Sequence, residues 1–88
     1  MIFTYASGQP ATAGYWMFRT RIPLDIAFSD SAGAIVKILP MAPCQSDLHA
    51  EACPTYAPGA TYWSALEVNQ GFFARHGIVE GDTVRLER

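Results

Sequence analysis

Hydrophobic residues alternate with polar or small residues along much of this chain, a pattern that is typical of half-buried β-strands. The clearest example is residues 24–29, where Leu24, Ile26 and Phe28 fall on one face of a predicted strand. Similar patterns predict further strands at residues 2–5, 15–18, 34–39, 60–68 and 83–86. Gly33 fits the left-handed position of a short turn before residues 34–39, where the alternation is less strict, as at a bulge. The short connections between these strands predict a mostly antiparallel sheet or a small barrel.

One short helix is predicted near the carboxyl end, over residues 70–76. Asn69 can accept a hydrogen bond from a backbone amide at its start, and Gly77 can take the left-handed conformation that ends it. Ile78 is then placed to pack against the last turn. The expected fold class is therefore mainly β with one short helix, in a single domain that covers residues 1–88.

Composition narrows the set of possible partners. Half of the 88 residues are hydrophobic, 16% are charged, and the formal net charge is −2. The basic residues form no cluster that could displace counterions from phosphates, so we expect no nucleic-acid partner. No apolar run reaches the roughly 18–20 residues needed to span a bilayer. The first predicted strand would leave an unpaired sheet edge, and we therefore expect a homodimer.

Residues 40–59 contain four prolines and both cysteines, and the segment is longer than most loops. We predict that it is irregular and that it carries the function. A disulfide between Cys44 and Cys53 would close a ten-residue ring and stabilise the fold by roughly 2.5–3 kcal/mol. Disulfides persist in oxidising compartments, so this interpretation predicts a periplasmic or exported protein.

Two other interpretations of the cysteines stay open. Cys44, His49 and Cys53, with a carboxylate from Asp47 or Glu51, form a donor set that zinc accepts. Their spacing differs from the close cysteine pairs of zinc knuckles. Alternatively, both thiols are reduced and unconnected, as is usual in the cytosol. A metal- or thiol-dependent site would carry an activity that the sequence does not assign.

Large aromatic residues and two acids are the candidates for ligand binding. Neighbouring residues of a strand point to opposite faces, so one aromatic of each pair at 15–16 and 62–63 must face outward or into a cleft. Acids in clefts are functional candidates, although hydrogen bonds within the fold are their more common role. The candidate binding residues are Trp16, Asp25, Tyr56, Trp63 and Glu67. The simpler interpretation is that the aromatics belong to the core or to a dimer contact.

Residues 15–28 resemble the hallmark segment of domain-of-unknown-function family 192. Three further motifs follow in the order of that family, Met-Ala-Pro-Cys at 41–44, Cys-Pro-Thr-Tyr at 53–56 and the stretch 65–82. Relatives carry several dozen residues before the part that matches Met1, which implies that residues 1–88 correspond to the C-terminal portion of the family domain. Relatives usually have Lys-Asn where this chain has Phe18-Arg19, so no role of an amine is carried over.

The family has no settled activity, so the resemblance implies no catalytic residue, and we expect no cofactor. The sequence contains no glycine-rich phosphate loop, nucleophile elbow or metalloprotease helix. We therefore expect a non-catalytic module that binds a small ligand or a protein outside the cytoplasm. The alternatives are the metal- or thiol-dependent site at Cys44, His49 and Cys53, and a structural domain that serves oligomerisation only.

Overall fold

The computed structural model of this protein describes residues 1–17, 20–44 and 53–84. Its elements are β1 (Ile2–Gln9), β2 (Tyr15–Trp16), β3 (Leu24–Ser29), β4 (Ile35–Met41), β5 (Thr55–Tyr56), β6 (Tyr62–Asn69) and α1 (Phe72–Arg75). The predicted fold class, mainly β with one short helix, is confirmed. Of the two expected architectures, the protein has the open antiparallel sheet and not the closed barrel.

Four strands form the main sheet in the order β1-β6-β3-β4, and every neighbouring pair is antiparallel. The strand with the clearest alternation in the sequence, β3, lies inside the sheet between β6 and β4. Its Ile26 stands opposite Leu39 on one side and Glu67 on the other. β2 and β5 form a separate two-stranded ribbon, in which Tyr15 pairs with Tyr56.

The β3–β4 connection is the hairpin that the sequence predicts. The carboxylate of Asp30 accepts hydrogen bonds from the backbone amides of Ala32 and Ala34, at 2.9 Å each. Gly33 adopts a left-handed φ of 87°, as its place in the turn requires. The pairing register shifts at the turn end of the hairpin, which leaves an extra residue in β4. This bulge explains why the hydrophobic pattern of β4 does not alternate strictly.

The segment predicted to be irregular, residues 40–59, contributes to two strands. Pro40 and Met41 extend β4, which an edge strand allows because the missing amide hydrogen of proline can face away from the ladder. Residues Thr55–Tyr56 form β5. The prediction of a fully irregular segment is therefore wrong at residues 40–41 and at Thr55–Tyr56, and residues 45–52 lie outside the described residues.

Two predicted strands are described only in part. The strand expected at 15–18 is β2 as far as Trp16, and Phe18 lies outside the described residues. At the end of the chain, Thr83 forms a single bridge with Ala34, and residues 85–86 again lie outside the described part. A turn at residues 79–82, closed by the Asp82 amide donating to the Val79 carbonyl at 3.1 Å, leads into this bridge.

The helix is shorter than predicted. Asn69 is the last residue of β6, paired with Leu24, and the capping residue is Gly71, so the prediction that Asn69 caps the helix is wrong. The sheet ladder keeps Asn69 extended, and the chain turns only afterwards. The predicted helix end is confirmed, because Gly77 has a left-handed φ of 66° and the Ile78 amide donates to the last helical turn. Within the described ranges, no helix has the length and hydrophobicity needed to cross a membrane.

Apolar side chains cover both faces of the main sheet. On the first face, the buried cluster consists of Met17, Ile26, Phe28, Met41, Tyr62 and Ala65. On the second face, Ala27, Ile35 and Phe73 form a smaller cluster, packed against by Ile38, Leu66, Val68, Ile78 and Val84. The sequence pattern predicts that Tyr62 shares a face with Leu66, and this is wrong because the pairing of β6 with β1 shifts register near Tyr62.

Candidate functional site

The adjacent aromatic pairs divide between the core and the surface, as strand alternation requires. Tyr15 packs against the cluster on the first face, whereas Trp16 beside it is 52% exposed. Tyr62 is 2% exposed in the same cluster, whereas Trp63 is half-buried. The prediction that one member of each pair faces outward or into a cleft is therefore confirmed, and in both pairs that member is the tryptophan.

The inward tyrosines form an aromatic cluster with hydrogen-bonded hydroxyls. The hydroxyls of Tyr5 and Tyr15 are in hydrogen-bond contact, and the Tyr62 hydroxyl donates to the carbonyl of Ala13 at 2.9 Å. Phe28 meets the ring of Tyr62 edge to face at 4.8 Å. Burial is the main cause that raises the pKa of Tyr15 and the pKa of Tyr62. These phenols stay neutral near pH 7 and hold β2 against the main sheet.

Trp16 and Tyr56, two of the candidate residues, lie on the β2–β5 ribbon. Trp16 stands opposite Thr55, and the Tyr56 hydroxyl accepts a hydrogen bond from the amide of Ala42 at 3.1 Å. This bond ties the ribbon to the residue that follows β4. Neither aromatic residue lines the cleft beside Trp63 that is described below.

The two candidate acids lie on neighbouring strands but on opposite faces of the sheet. Asp25 pairs with Val68, and its carboxylate accepts a hydrogen bond from the Gly71 amide at 2.9 Å. Glu67 pairs with Ile26, one position along, so its side chain belongs to the other face. Burial raises the pKa of the Glu67 carboxyl. The fold therefore does not bring the two acids together as a catalytic pair.

Cys44 and Cys53 form the expected disulfide, with Cα atoms 5.8 Å apart. Cys53 is buried, and Cys44 packs against the cluster on the first face while its backbone bridges to Thr20. Both sulfurs of the candidate metal set are thus bonded to each other, and His49 lies outside the described residues. Among the residues that the structure describes, no three His, Cys, Asp or Glu side chains are grouped to hold a metal ion.

Trp63 lines a cleft beside the β3–β4 turn, which we call the Trp63 cleft. Its volume is about 300 Å³, and its walls come from β1, β6 and the β3–β4 turn. The lining residues are Ile2, Tyr5, Asp30, Ser31, Ala32, Gly33, Trp63, Ser64 and Val84. We expected a functional site at the 40–59 segment, but this cleft lies beside the hairpin turn, and none of the described residues of that segment lines it. Only the tertiary structure reveals that this turn borders the cleft.

The fold and the cleft define a small open antiparallel β-domain with a disulfide and an aromatic surface depression. The chain belongs to the DUF192 family, described as an uncharacterized ACR, whose model matches residues 1–86. The resemblance inferred from the motifs is therefore confirmed over essentially the whole chain. Searches of curated proteins and of solved structures find no match.

Proposed function

We propose that this protein is a non-catalytic binding module that acts outside the cytoplasm, and that its ligand site is the Trp63 cleft. The position of Trp63 carries the proposal. Its side chain is half-buried in the wall of a cleft of about 300 Å³, beside the polar turn of residues 30–33. A concave site with an aromatic wall and a few polar groups is the usual form of a small-ligand site.

Packing against β1 holds the Trp63 ring in place before any ligand arrives. Gly8 of β1 lies so close that a Cβ atom there would be 2.9 Å from Cζ2 of the indole and 2.7 Å from Cγ2 of Thr61. The missing side chain at Gly8 is what lets the ring lie against the strand. A wall that is already ordered lowers the entropy lost when a ligand binds.

The polar groups of the cleft favour a ligand that carries hydroxyl groups. Ser31 and Ser64 supply hydroxyls, and Asp30 supplies a carboxylate. The turn uses Oδ1 of Asp30 to accept two backbone hydrogen bonds, which makes Oδ2 the acceptor for a ligand hydroxyl. An indole face beside such groups suits the apolar face and the hydroxyls of a sugar ring. The proposed ligand class is a neutral saccharide.

Saturation-transfer NMR with a panel of neutral mono- and disaccharides tests this site. We expect at least one saccharide to receive saturation from the wild-type protein and to lose it with Trp63→Ala. Trp63→Tyr retains an aromatic face and should keep part of the signal. Trp16→Ala, which removes the exposed indole of the ribbon, is the matched control and should leave binding unchanged. Binding that survives Trp63→Ala, or a panel that never binds the wild type, would contradict the proposal.

The disulfide supports the proposed compartment and weighs against the thiol alternative. A Cys44–Cys53 bond persists where the surroundings are oxidising, and it takes up both sulfurs that a metal- or thiol-dependent site would use. Alkylation of thiols in intact cells, before lysis, tests this point. We expect neither cysteine to be labelled in the native host. Labelling of both would mean a reducing compartment and would contradict the proposed localisation.

We also propose a homodimer, because one edge of the main sheet is partly covered by other segments, whereas nothing described pairs with the other edge. The β4 edge is covered near its start, where Ile35 exchanges backbone hydrogen bonds with residues 81–82 and the Ile38 amide donates to the Glu80 carboxylate. Among the described residues, no strand pairs with the outer edge of β1. An open edge of this kind is a template for the same strand of a second copy.

The register of β1 selects the residue for a test of the dimer. Met1 exchanges both backbone hydrogen bonds with Glu67, so over the regular part of the ladder, residues 1–4, the outward-facing amides are those of Ile2 and Thr4. Thr4→Pro removes one outward donor, at an edge position that tolerates proline. We expect sedimentation velocity at high micromolar concentration to give a dimer for the wild type and for Thr4→Ala, and a monomer for Thr4→Pro. A wild-type monomer would refute the dimer.

A further inference from the structure

We propose that a second cavity, between α1 and the second face of the sheet, binds a small aromatic amine. Its volume is about 420 Å³, and it is separate from the Trp63 cleft, although Val84 borders both. We call it the α1 cavity; its walls include Ile35, Leu66, Phe73, Ile78 and Val84, with Asp82 at its border. The volume falls in the range of about 300–1,000 Å³ that is usual for small-molecule sites.

The walls of the α1 cavity are held by backbone hydrogen bonds. The Ile35 amide donates to the Asp82 carbonyl at 2.8 Å, and the Gly81 amide donates to the Ile35 carbonyl at 2.8 Å. On the opposite side, the Ile78 amide donates to the Phe73 carbonyl at 2.9 Å and closes the end of α1. Ile35 and Phe73 are each 3% exposed. The cavity is therefore formed before a ligand binds, which favours affinity for a small rigid molecule.

The apolar walls call for an apolar ligand body. Six of the eight residues around the cavity are aliphatic or aromatic, so a polar ring would lose its hydration without gaining hydrogen-bond partners. Phe72, which is 36% exposed, also borders the cavity, and its ring lies 4.3 Å from that of His76. A ligand ring can therefore contact aromatic as well as aliphatic groups, which contributes beyond buried area alone.

One carboxylate at the border of the cavity, that of Asp82, sets the charge of the ligand. Oδ2 of Asp82 accepts a hydrogen bond from the Val79 amide at 2.8 Å, which orients this carboxylate at the border of the cavity. Its charge attracts an ammonium group and repels a carboxylate. An aromatic ring with a short amine arm satisfies both the walls and this charge.

Three probes of matched shape test the proposal, namely 2-phenylethylamine, 2-phenylethanol and phenylacetate, each titrated into the full-length protein labelled with nitrogen-15. We expect amide shifts at Leu66, Phe73 and Ile78 with the amine, and affinity at least about tenfold higher for the amine than for phenylacetate. Asp82→Asn keeps an oxygen for the Val79 amide but removes the charge, so the amine should then bind no better than the alcohol. Val84→Phe fills the cavity and should weaken all three probes.

The outcomes separate this cavity from the proposed saccharide site. Trp63→Ala should abolish saccharide binding and leave the affinity for 2-phenylethylamine unchanged, because Trp63 does not line the α1 cavity. Equal affinity for the amine and phenylacetate would overturn the proposal. Retention of the preference for the amine in Asp82→Asn would also contradict the proposal. So would amide shifts that cluster at residues outside the cavity, or a failure of the amine to bind at about 10 mM.

Discussion

The carboxylate of Asp25 accepts a hydrogen bond from the backbone amide of Gly71 at 2.9 Å. Asp25 lies in β3, inside the main sheet, and Gly71 is the capping residue of α1. The two residues are 46 positions apart in the chain, so this bond fixes where the helix begins relative to the sheet. Asp25, which the sequence marks as a candidate for ligand binding, thus has a structural hydrogen-bond partner.

Removing the Asp25 acceptor should destabilise the protein. We expect Asp25→Ala to lower the free energy of unfolding by about 1.5–2 kcal/mol, since it leaves the part-buried Gly71 amide without its partner. Asp25→Asn retains an acceptor oxygen and should cost less than half as much. Urea unfolding followed by circular dichroism measures both values. Equal effects of the two variants would mean that the charge, and not the hydrogen bond, matters at this position.

Glu67 should make the protein less stable as the pH rises. Burial raises the pKa of its carboxyl above the ordinary value of 4.5, so the folded state favours the protonated form. The destabilisation is absent below about pH 4.5 and grows as the pH passes through the folded pKa. We expect Glu67→Gln to be more stable than the wild type at pH 7 and equal to it at pH 4, in urea unfolding at both values. A less stable variant at pH 7 would show that the ionised carboxylate has a favourable partner.

The buried phenols should limit stability in alkali. Burial raises the pKa of Tyr15 and of Tyr62 above the ordinary value of 10.0, so the folded state keeps both protonated. Their contribution to the stability of the fold is fully present below pH 10. It is lost above pH 10, because the phenols then ionise in the unfolded chain. Stability should therefore fall from pH 10 upward, and less steeply in Tyr15→Phe. Urea midpoints between pH 9 and 11 provide the measurement, and identical slopes in the two proteins would contradict this account.

The disulfide should carry a large share of the stability. Replacing both Cys44 and Cys53 with serine reopens a ten-residue ring and should lower the free energy of unfolding by about 2.5–3 kcal/mol. Intact mass of the non-reduced wild type should show the loss of two hydrogens, and thiol titration under denaturing conditions should find no free thiol. The wild type treated with reductant is the matched control and should unfold like the double variant. Two free thiols in the untreated protein would refute the bond.

Gly14 and Gly59 should respond differently to substitution by alanine. A Cβ atom at Gly14 would lie 2.5 Å from the carbonyl oxygen of Tyr56, which belongs to the backbone of the paired strand and has little freedom to move. We expect Gly14→Ala to cost about 2–3 kcal/mol through overpacking. At Gly59 nothing lies within 4 Å, so Gly59→Ala should cost only about 1 kcal/mol for its φ of 74°. Urea unfolding should rank them in that order, and the reverse order would contradict the packing of the ribbon.

Features that depend on neighbours in the chain could be predicted from the sequence. The β3–β4 hairpin follows from a turn with Asp30 and Gly33, and the end of α1 follows from Gly77 and Ile78. The alternation in residues 24–29 marks the strand correctly because that strand is buried on a regular ladder. Aromatic neighbours must divide between two faces for the same local reason.

Features that depend on contacts between distant segments could not be predicted from the sequence. The pairing of β2 with β5 joins Tyr15 to Tyr56, and although the sequence predicts a strand at residues 15–18, β5 is too short to show a strand pattern and its partner lies about 40 residues away. The hydroxyl contact between Tyr5 and Tyr15 joins β1 to the ribbon. The Trp63 cleft includes the hairpin turn only because the sheet order brings β1, β6 and that turn together.

By itself, then, the sequence determined the family, the β-rich class, the hairpin and the helix stop, and it favoured a disulfide between its two cysteines. The tertiary structure decided where each candidate residue lies. It assigned Asp25 to the start of the helix, separated Asp25 from Glu67 across the sheet, and set Trp63 in a cleft away from Trp16. The physical reason is that turns and alternation arise from bonds between near neighbours, whereas a binding site is made by the pairing order of strands that are far apart in the chain.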